Sequence, residues 1–205
     1  MQYIKVFTYT VGQLQTNCYV VATASGQAVI IDPGDDADYL YRQIQNEQLK
    51  PQVIVATHGH FDHLGAVTEL KTAFNIPFTI HQEDTFLVNR FRSSTLHFLN
   101  FDPGPAPAIN YHLTNPVVVG NLRFTILPTP GHTPGSICLY SSREKVAFVG
   151  DLIFAEGGLG RTDFRYSSSE DLHHSLEKIL SLPKSTTLYP GHGPDTTVAA
   201  ELPFH

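Results

Sequence analysis

Four potential metal ligands fall within six positions of one segment: His58, His60, Asp62 and His63 in THGHFDH. Imidazole and carboxylate are donors suited to zinc, iron or manganese, and a His-x-His alternation in an extended turn points both rings to one side. Asp62 and His63 follow one step later, where the chain bends toward a helix, so they can face a second ion. Three more groups stand in comparable places: His132 after FTILPTPG, Asp151 closing VAFVG and His192 after TTLYPG. Two adjacent ions would make water a usable nucleophile at neutral pH. Any one of the eleven histidines is more commonly a surface or satisfied core residue than a ligand. The crowding of three of them with an aspartate, directly after an apolar strand, singles this set out.

Positioning such a set falls to the segments around it. Short β-branched and aromatic runs recur between Gly and Pro punctuation: YIKVFTY, CYVVA, AVIID, VIVAT, FTI, VVVGNLRFTIL, SICLY, VAFVG and TTLYP. These predict strands. Helical patterns are expected over Asp35 to Gln48, Asp62 to Phe74 and Ser168 to Leu182, the first ending before Pro51 and the last at Pro183. The mixture is α/β. Each candidate ligand follows an apolar strand, and in open α/β sheets ligands gather outside the carboxyl ends of strands. Gly59, Gly131, Gly150 and Gly191 adjoin the ligands and permit the tight turns that aim them. The stretch from Asp84 to Pro116, with FDPGPAPA at its centre, reads as irregular, either a functional flap or plain surface.

Other reactive residues have plainer roles. His173 and His174 lie in EDLHHSLEKIL, whose buried stripe is Leu172, Leu176 and Ile179, so both belong to the helix surface. His81, His97, His112 and His205 have no ligand-like setting, although His81, at the end of FTI, could approach the site from behind the ligands. Ser136 lacks the G-x-S-x-G elbow of a serine nucleophile. Cys18 and Cys138 sit inside strand-like runs and read as small buried hydrophobes. Asp32, closing AVIID, is either an aspartate that orients a ligand imidazole or the start of a D-P-G turn.

A length of 205 residues allows one substantial core, so a single domain over 1–205 is expected. With 41% hydrophobic and 16% charged residues the composition is that of an ordinary globular protein. A net charge of −6 without a Lys/Arg run argues against nucleic acid. No apolar stretch approaches a membrane span and MQYIKVFTYT has no signal-peptide block, so no membrane contact and a cytoplasmic location are expected. The oligomeric state is open.

The order THGHFDH, PGHTPGS, VGD and YPGHGP resembles the metallo-β-lactamase superfamily, and within it the small glyoxalase II-like hydrolases, over nearly the whole chain. The resemblance implies an αββα sandwich with its site at one edge of two facing sheets. It also implies that His58, His60 and His132 hold one ion, that Asp62, His63 and His192 hold a second, and that Asp151 bridges both. IFAEGGLGRTDF after Asp151 is similar to the corresponding segment of small glyoxalase II-like proteins and of persulfide dioxygenases. Arg161 takes the place of a basic glutathione contact. The chain departs from full-length glyoxalase II in ending soon after His192 and in carrying Asp163 and Pro194 where glutathione-contacting tyrosines are expected.

These readings together predict a metal-dependent hydrolase of thioesters, hydroxyacylglutathione hydrolase-like, with a hydroxide held between two divalent ions as nucleophile. Zinc is the favoured metal, with iron and manganese compatible. Asp62 and Asp151 are the carboxylates given catalytic roles, and the partner is a small molecule such as a glutathione or other thiol conjugate. A thiolate leaving group, with a conjugate-acid pKa near 8.5, needs little proton donation. A mononuclear iron persulfide dioxygenase using His58, His132 and Asp151 is the alternative, and a metal-binding module without turnover is a second.

Overall fold

In the computed structural model, which describes residues 4–113 and 116–205, the β-branched and aromatic runs become strands. Tyr3, which opens the first expected strand, and Thr114 and Asn115, within the stretch expected to be irregular, lie outside the described residues. The first half of the chain forms β1 (Ile4–Val11), β2 (Thr16–Thr23), β3 (Gln27–Ile31), α1 (Ala37–Asn46), β4 (Lys50–Val55), α2 (Val67–Phe74), β5 (Phe78–Ile80), α3 (Thr85–Asn89), α4 (Phe91–Leu99) and β6 (Tyr111–His112). The second half forms β7 (Val117–Val119), β8 (Leu122–Pro128), β9 (Ile137–Ser141), β10 (Val146–Gly150), α5 (Ser169–Leu180), β11 (Thr187–Pro190), β12 (Thr196–Thr197) and α6 (Val198–Glu201). Neighbours follow chain order in both six-stranded sheets, β1 to β6 in one and β12 back to β7 in the other. Antiparallel hairpins join β1, β2 and β3, while helical crossovers make β3, β4 and β5 parallel, so the sheet is mixed.

The period of two along a strand builds the layers. Every residue of β2 is buried. Its Cys18, Val20 and Ala22 pack with Leu40 and Ile44 of α1 and Val67 and Leu70 of α2, whereas Tyr19 and Val21 meet Phe124, Leu139 and Phe148 of the other sheet. β10 repeats the device: Ala147 and Val149 face Leu172, Leu176 and Ile179 of α5, and Val146 and Phe148 face the first sheet. Two sheets back to back with helices outside each make the four-layer αββα sandwich. Each such large side chain contributes about 1.5–3 kcal/mol through burial. Cys18 and Cys138 are buried free thiols inside these layers, and burial raises the pKa of both, that of Cys138 to about 12.

Three expectations need correction. The helix expected from Asp62 is instead a 3-10 turn at Phe61–His63 that ends where Leu64 leaves helical geometry at φ −123°, and α2 starts at Val67. The helix expected over Asp35 to Gln48 is shorter because Asp36 and Gln48, at φ 53° and 54°, lie in the left-handed region. Finally, the stretch from Asp84 to Pro116 is not wholly irregular, since α3 and α4 occupy its first half and Asn100 ends α4 in a left-handed cap. Among the described residues, no helix is long and apolar enough to cross a membrane.

Candidate metal centre

The 3-10 turn after β4 and the loops following β8, β10 and β11 bring all seven candidate ligands to one rim of the sandwich. One group is His58, His60 and His132, a second is Asp62, His63 and His192, and His58, His63 and Asp151 form a set overlapping both; within each, the donor atoms lie within 4.8 Å of one another. His60 Nδ1 stands 3.1 Å from His58 Nε2 and 2.9 Å from His132 Nε2. Asp62 Oδ2 lies 3.6 Å from His63 Nε2 and 3.4 Å from His192 Nε2. Asp151 spans the two groups, its Oδ1 3.5 Å from His63 Nε2 and its Oδ2 3.6 Å from both His132 Nε2 and His192 Nε2.

The outer partners of the rings fix which nitrogens point inward as lone pairs. Thr57 Oγ1 donates its only proton to Asp32 Oδ2 at 2.6 Å, so at 3.2 Å it accepts from His58 Nδ1. His132 Nδ1 donates to the Arg161 carbonyl at 2.8 Å, and His192 Nδ1 to the Leu14 carbonyl at 3.1 Å. His60 Nε2 bonds the Tyr166 hydroxyl at 2.9 Å. The Nε2 atoms of His58 and His132 therefore converge on His60 Nδ1 as acceptors with no proton between them and His60 unless His60 itself turns its proton inward. Converging lone pairs of this kind suit a cation. The buried His63 Nε2 and Asp151 Oδ1 have no hydrogen-bond partner at all, a costly condition that an ion between them relieves. The donor set thus fits divalent metal.

Charge distribution differs between the groups. Burial first, then the neighbouring imidazoles, lower the pKa of His58 and bring that of His60 to about 3. Burial also acts against charge on His63, but Asp62, Asp151 and Asp32 override it and raise its pKa to about 10. At Asp62 burial is overcome by His63 and His192, which hold the carboxylate below its usual range. Asp32 itself lies at φ 50° and is 1% exposed. It accepts the Thr57 N–H at 2.7 Å, and its Oδ2 stands 3.1 Å from His63 Nδ1, in ion-pair range although not aligned as a hydrogen bond.

Two glycines clear the space. Gly150, at φ 53°, turns the chain so that Asp151 enters the rim, and a β-carbon there would meet Thr57 Oγ1 at 2.5 Å. A β-carbon on Gly191 would stand 2.1 Å from Asp151 Oδ1. Across the rim, β2 ties down the His192 loop: the Asn17 N–H donates to the Gly191 carbonyl at 2.7 Å, and Thr16 bridges to His192.

A cavity of about 350 Å³ opens over the ligands, lined by His60, Asp62, His132, Asp151 and His192. Phe61, Leu87, Ser94 and Phe98 line another part, so α3 and α4, half of the stretch whose role was open, form a wall. Arg161, Phe164 and Tyr166 form a further part, with Phe164 and Tyr166 stacked at 5.2 Å. Arg161 lines the cavity, but its guanidinium is paired with Asp163 through two 2.6 Å bonds and rests 4.4 Å over the Phe164 ring. His81 stays outside the ligand set and caps the 3-10 turn at Gln82–Asp84.

Two residues at the site carry no signature in the sequence. Asp84, fully buried, accepts from the Gly59 N–H, the Thr133 hydroxyl and the Gly135 N–H, each at 2.7 Å, and so ties the His58–His60 segment to the loop of His132. Tyr166 is the partner of His60; burial raises its phenol to about 12.

The family model described as the metallo-beta-lactamase superfamily matches residues 11–192. Hydroxyacylglutathione hydrolase GloC of Haemophilus influenzae is 35% identical over 192 residues, covering 91% of this chain and 90% of that protein. Among solved structures, the B3 metallo-beta-lactamase BLEG-1 superposes with a TM-score of 0.91 at 36% identity, covering 97% of each chain. TTHA1623 in a di-iron-bound form gives 0.86 at 36% identity, with 96% of this chain and 97% of that one covered.

Proposed function

The chain belongs to the metallo-beta-lactamase superfamily as one of its metallo-hydrolases, and from that premise we propose that it cleaves thioesters of small thiols, acyl conjugates of glutathione included, in the manner of a hydroxyacylglutathione hydrolase. One observation carries the reading: two groups of metal-suited donors, with Asp151 reaching both, at the floor of a cavity. His58, His60 and His132 would hold one divalent ion and Asp62, His63 and His192 the other, with Asp151 reaching both. Zinc is the metal we assign, the same donors being compatible with iron or manganese. When bound, the ions supply a nucleophile at neutral pH by bringing the pKa of water from about 15.7 to about 7, and they polarise the scissile carbonyl.

The chain's own residues do the rest. Asp62, steadied by the Thr16 hydroxyl at 3.2 Å, and Asp151 offer carboxylate oxygens to the attacking water's proton. Asp32 and Thr57 orient His58 and His63 from behind. Tyr166, its phenol held protonated, places a hydroxyl beside His60 and is a poor acid at neutral pH. A thiolate leaves without needing a better one, which favours a thioester over an amide. Arg161 stands where it would meet an anionic thiol tail.

The resemblance of IFAEGGLGRTDF to persulfide dioxygenases supports a second reading as an iron oxygenase. The test is to load the protein separately with zinc, manganese and iron, count ions per chain, and assay thiol release from S-lactoylglutathione beside β-lactam opening and persulfide-dependent oxygen uptake. Two ions per chain with thiol release is the expected result. One iron with oxygen uptake and no thiol release overturns it.

A further inference from the structure

Resting on that thioester reading, we propose that the site selects a hydrocarbon acyl group, larger than acetyl, which lies against the Phe61–Phe98 pair. The two rings stack with centroids 5.6 Å apart and planes 10° from parallel, yet Phe98 remains 55% exposed. Leu14, 44% exposed, lines the same cavity. Leu87 lies behind, and in the wall that α3 and α4 provide Ser94 is the only polar side chain. Apolar surface left open beside a reaction centre gains its free energy when a ligand covers it.

Charge points the same way. Arg161 is the only Lys or Arg among the described residues that line the cavity, and the Nε–Nη2 edge of its guanidinium is already taken by Asp163 in an exposed pair. An exposed, already paired cation adds little for an anion. If the thiol tail runs past Arg161, the acyl group is directed to the wall of α3 and α4, where a hydroxyl such as that of a lactoyl group finds only Ser94. Selection then falls on hydrocarbon area, worth about fourfold per fully buried methylene at roughly 0.8 kcal/mol each.

The experiment compares kcat/KM for acetyl-, butyryl-, hexanoyl- and lactoylglutathione on the metal-loaded protein, then repeats the series with Phe98→Ser. Wild type is expected to gain at least tenfold from acetyl to hexanoyl, and the variant, of unchanged thermal midpoint, to lose most of that gain. A flat series, or one led by the lactoyl ester, overturns the inference while leaving thioester cleavage standing. A preference that tracks the apolarity of the thiol at fixed acyl group overturns it as well. Absence of cleavage across the panel overturns the thioester reading and this inference together.

Discussion

The two halves of the metal centre are built on opposite electrostatic plans. His58, His60 and His132 are backed by a hydroxyl, a phenol and a carbonyl, none of them charged, and burial among neighbouring imidazoles keeps His58 and His60 neutral. Asp62, His63 and His192 include one carboxylate, and Asp32 and Asp151 stand within 3.5 Å of His63. The first group gathers ring nitrogens with no charge behind them; in the second, the carboxylates around His63 raise its pKa to about 10. Loading the first therefore displaces nothing, whereas loading the second must expel the proton of His63.

The most severe way to test that contrast removes the residue common to both halves. Asp151→Asn is expected to lower thioesterase kcat by on the order of 10³-fold and to drop bound metal below two per chain by elemental analysis. Retention of two tightly held ions would mean that the halves do not depend on a shared carboxylate. Asp84→Ala comes next and should strike only the first half. It strands the Gly59 and Gly135 N–H groups and the Thr133 hydroxyl, costing about 3–5 kcal/mol in urea unfolding of the metal-free protein. Asp84→Asn, which keeps one acceptor oxygen, should cost less.

A smaller and more selective effect is expected from Tyr166→Phe, which removes only the hydrogen bond to His60. Affinity of the first ion, measured by chelator competition, should fall about tenfold while that of the second stays put. Equal loss at both would erase the distinction. The mildest test is the stability of metal-free protein against pH. His63 is raised to about 10, so its contribution is present below 6.5 and fades as pH climbs from about 6.5 toward 10. His60, lowered to about 3 from 6.5, is kept neutral by the fold, so stability is lost as pH falls from 6.5 toward 3. The two halves thus predict a maximum near pH 6.5, and urea midpoints that vary in one direction only would contradict the contrast.

The sandwich was legible because alternation writes itself into strands such as β2 and β10, where odd and even residues serve different layers. The clustering of the candidate ligands was legible for a related reason: they lie in turns that follow strands, and Gly150 and Gly191 mark turns too tight for a side chain. What escaped lacked periodicity. α3 and α4 span five and nine residues, too short for a clear apolar stripe, and they lead into a proline-rich run that reads as loop throughout. Asp84 looks like any turn aspartate, since its three donors come from segments 25 to 51 residues away. Tyr166 has no spacing that points to His60, 106 positions earlier. The pairing of Arg161 with Asp163 was open to sequence reasoning, two residues apart, but a pair of opposite charges in a loop forms only if the backbone aims both outward.

The bond from His192 to the Leu14 carbonyl crosses 178 positions of sequence. A chain emerging from the ribosome presents His58, His60 and His63 long before it presents His192, so early histidines are exposed to cellular metal while half the grip is unmade. Because Thr16 bridges to His192 and the Asn17 N–H holds the Gly191 carbonyl, the second donor group is complete only once the earliest strands and the last loop of the fold have met.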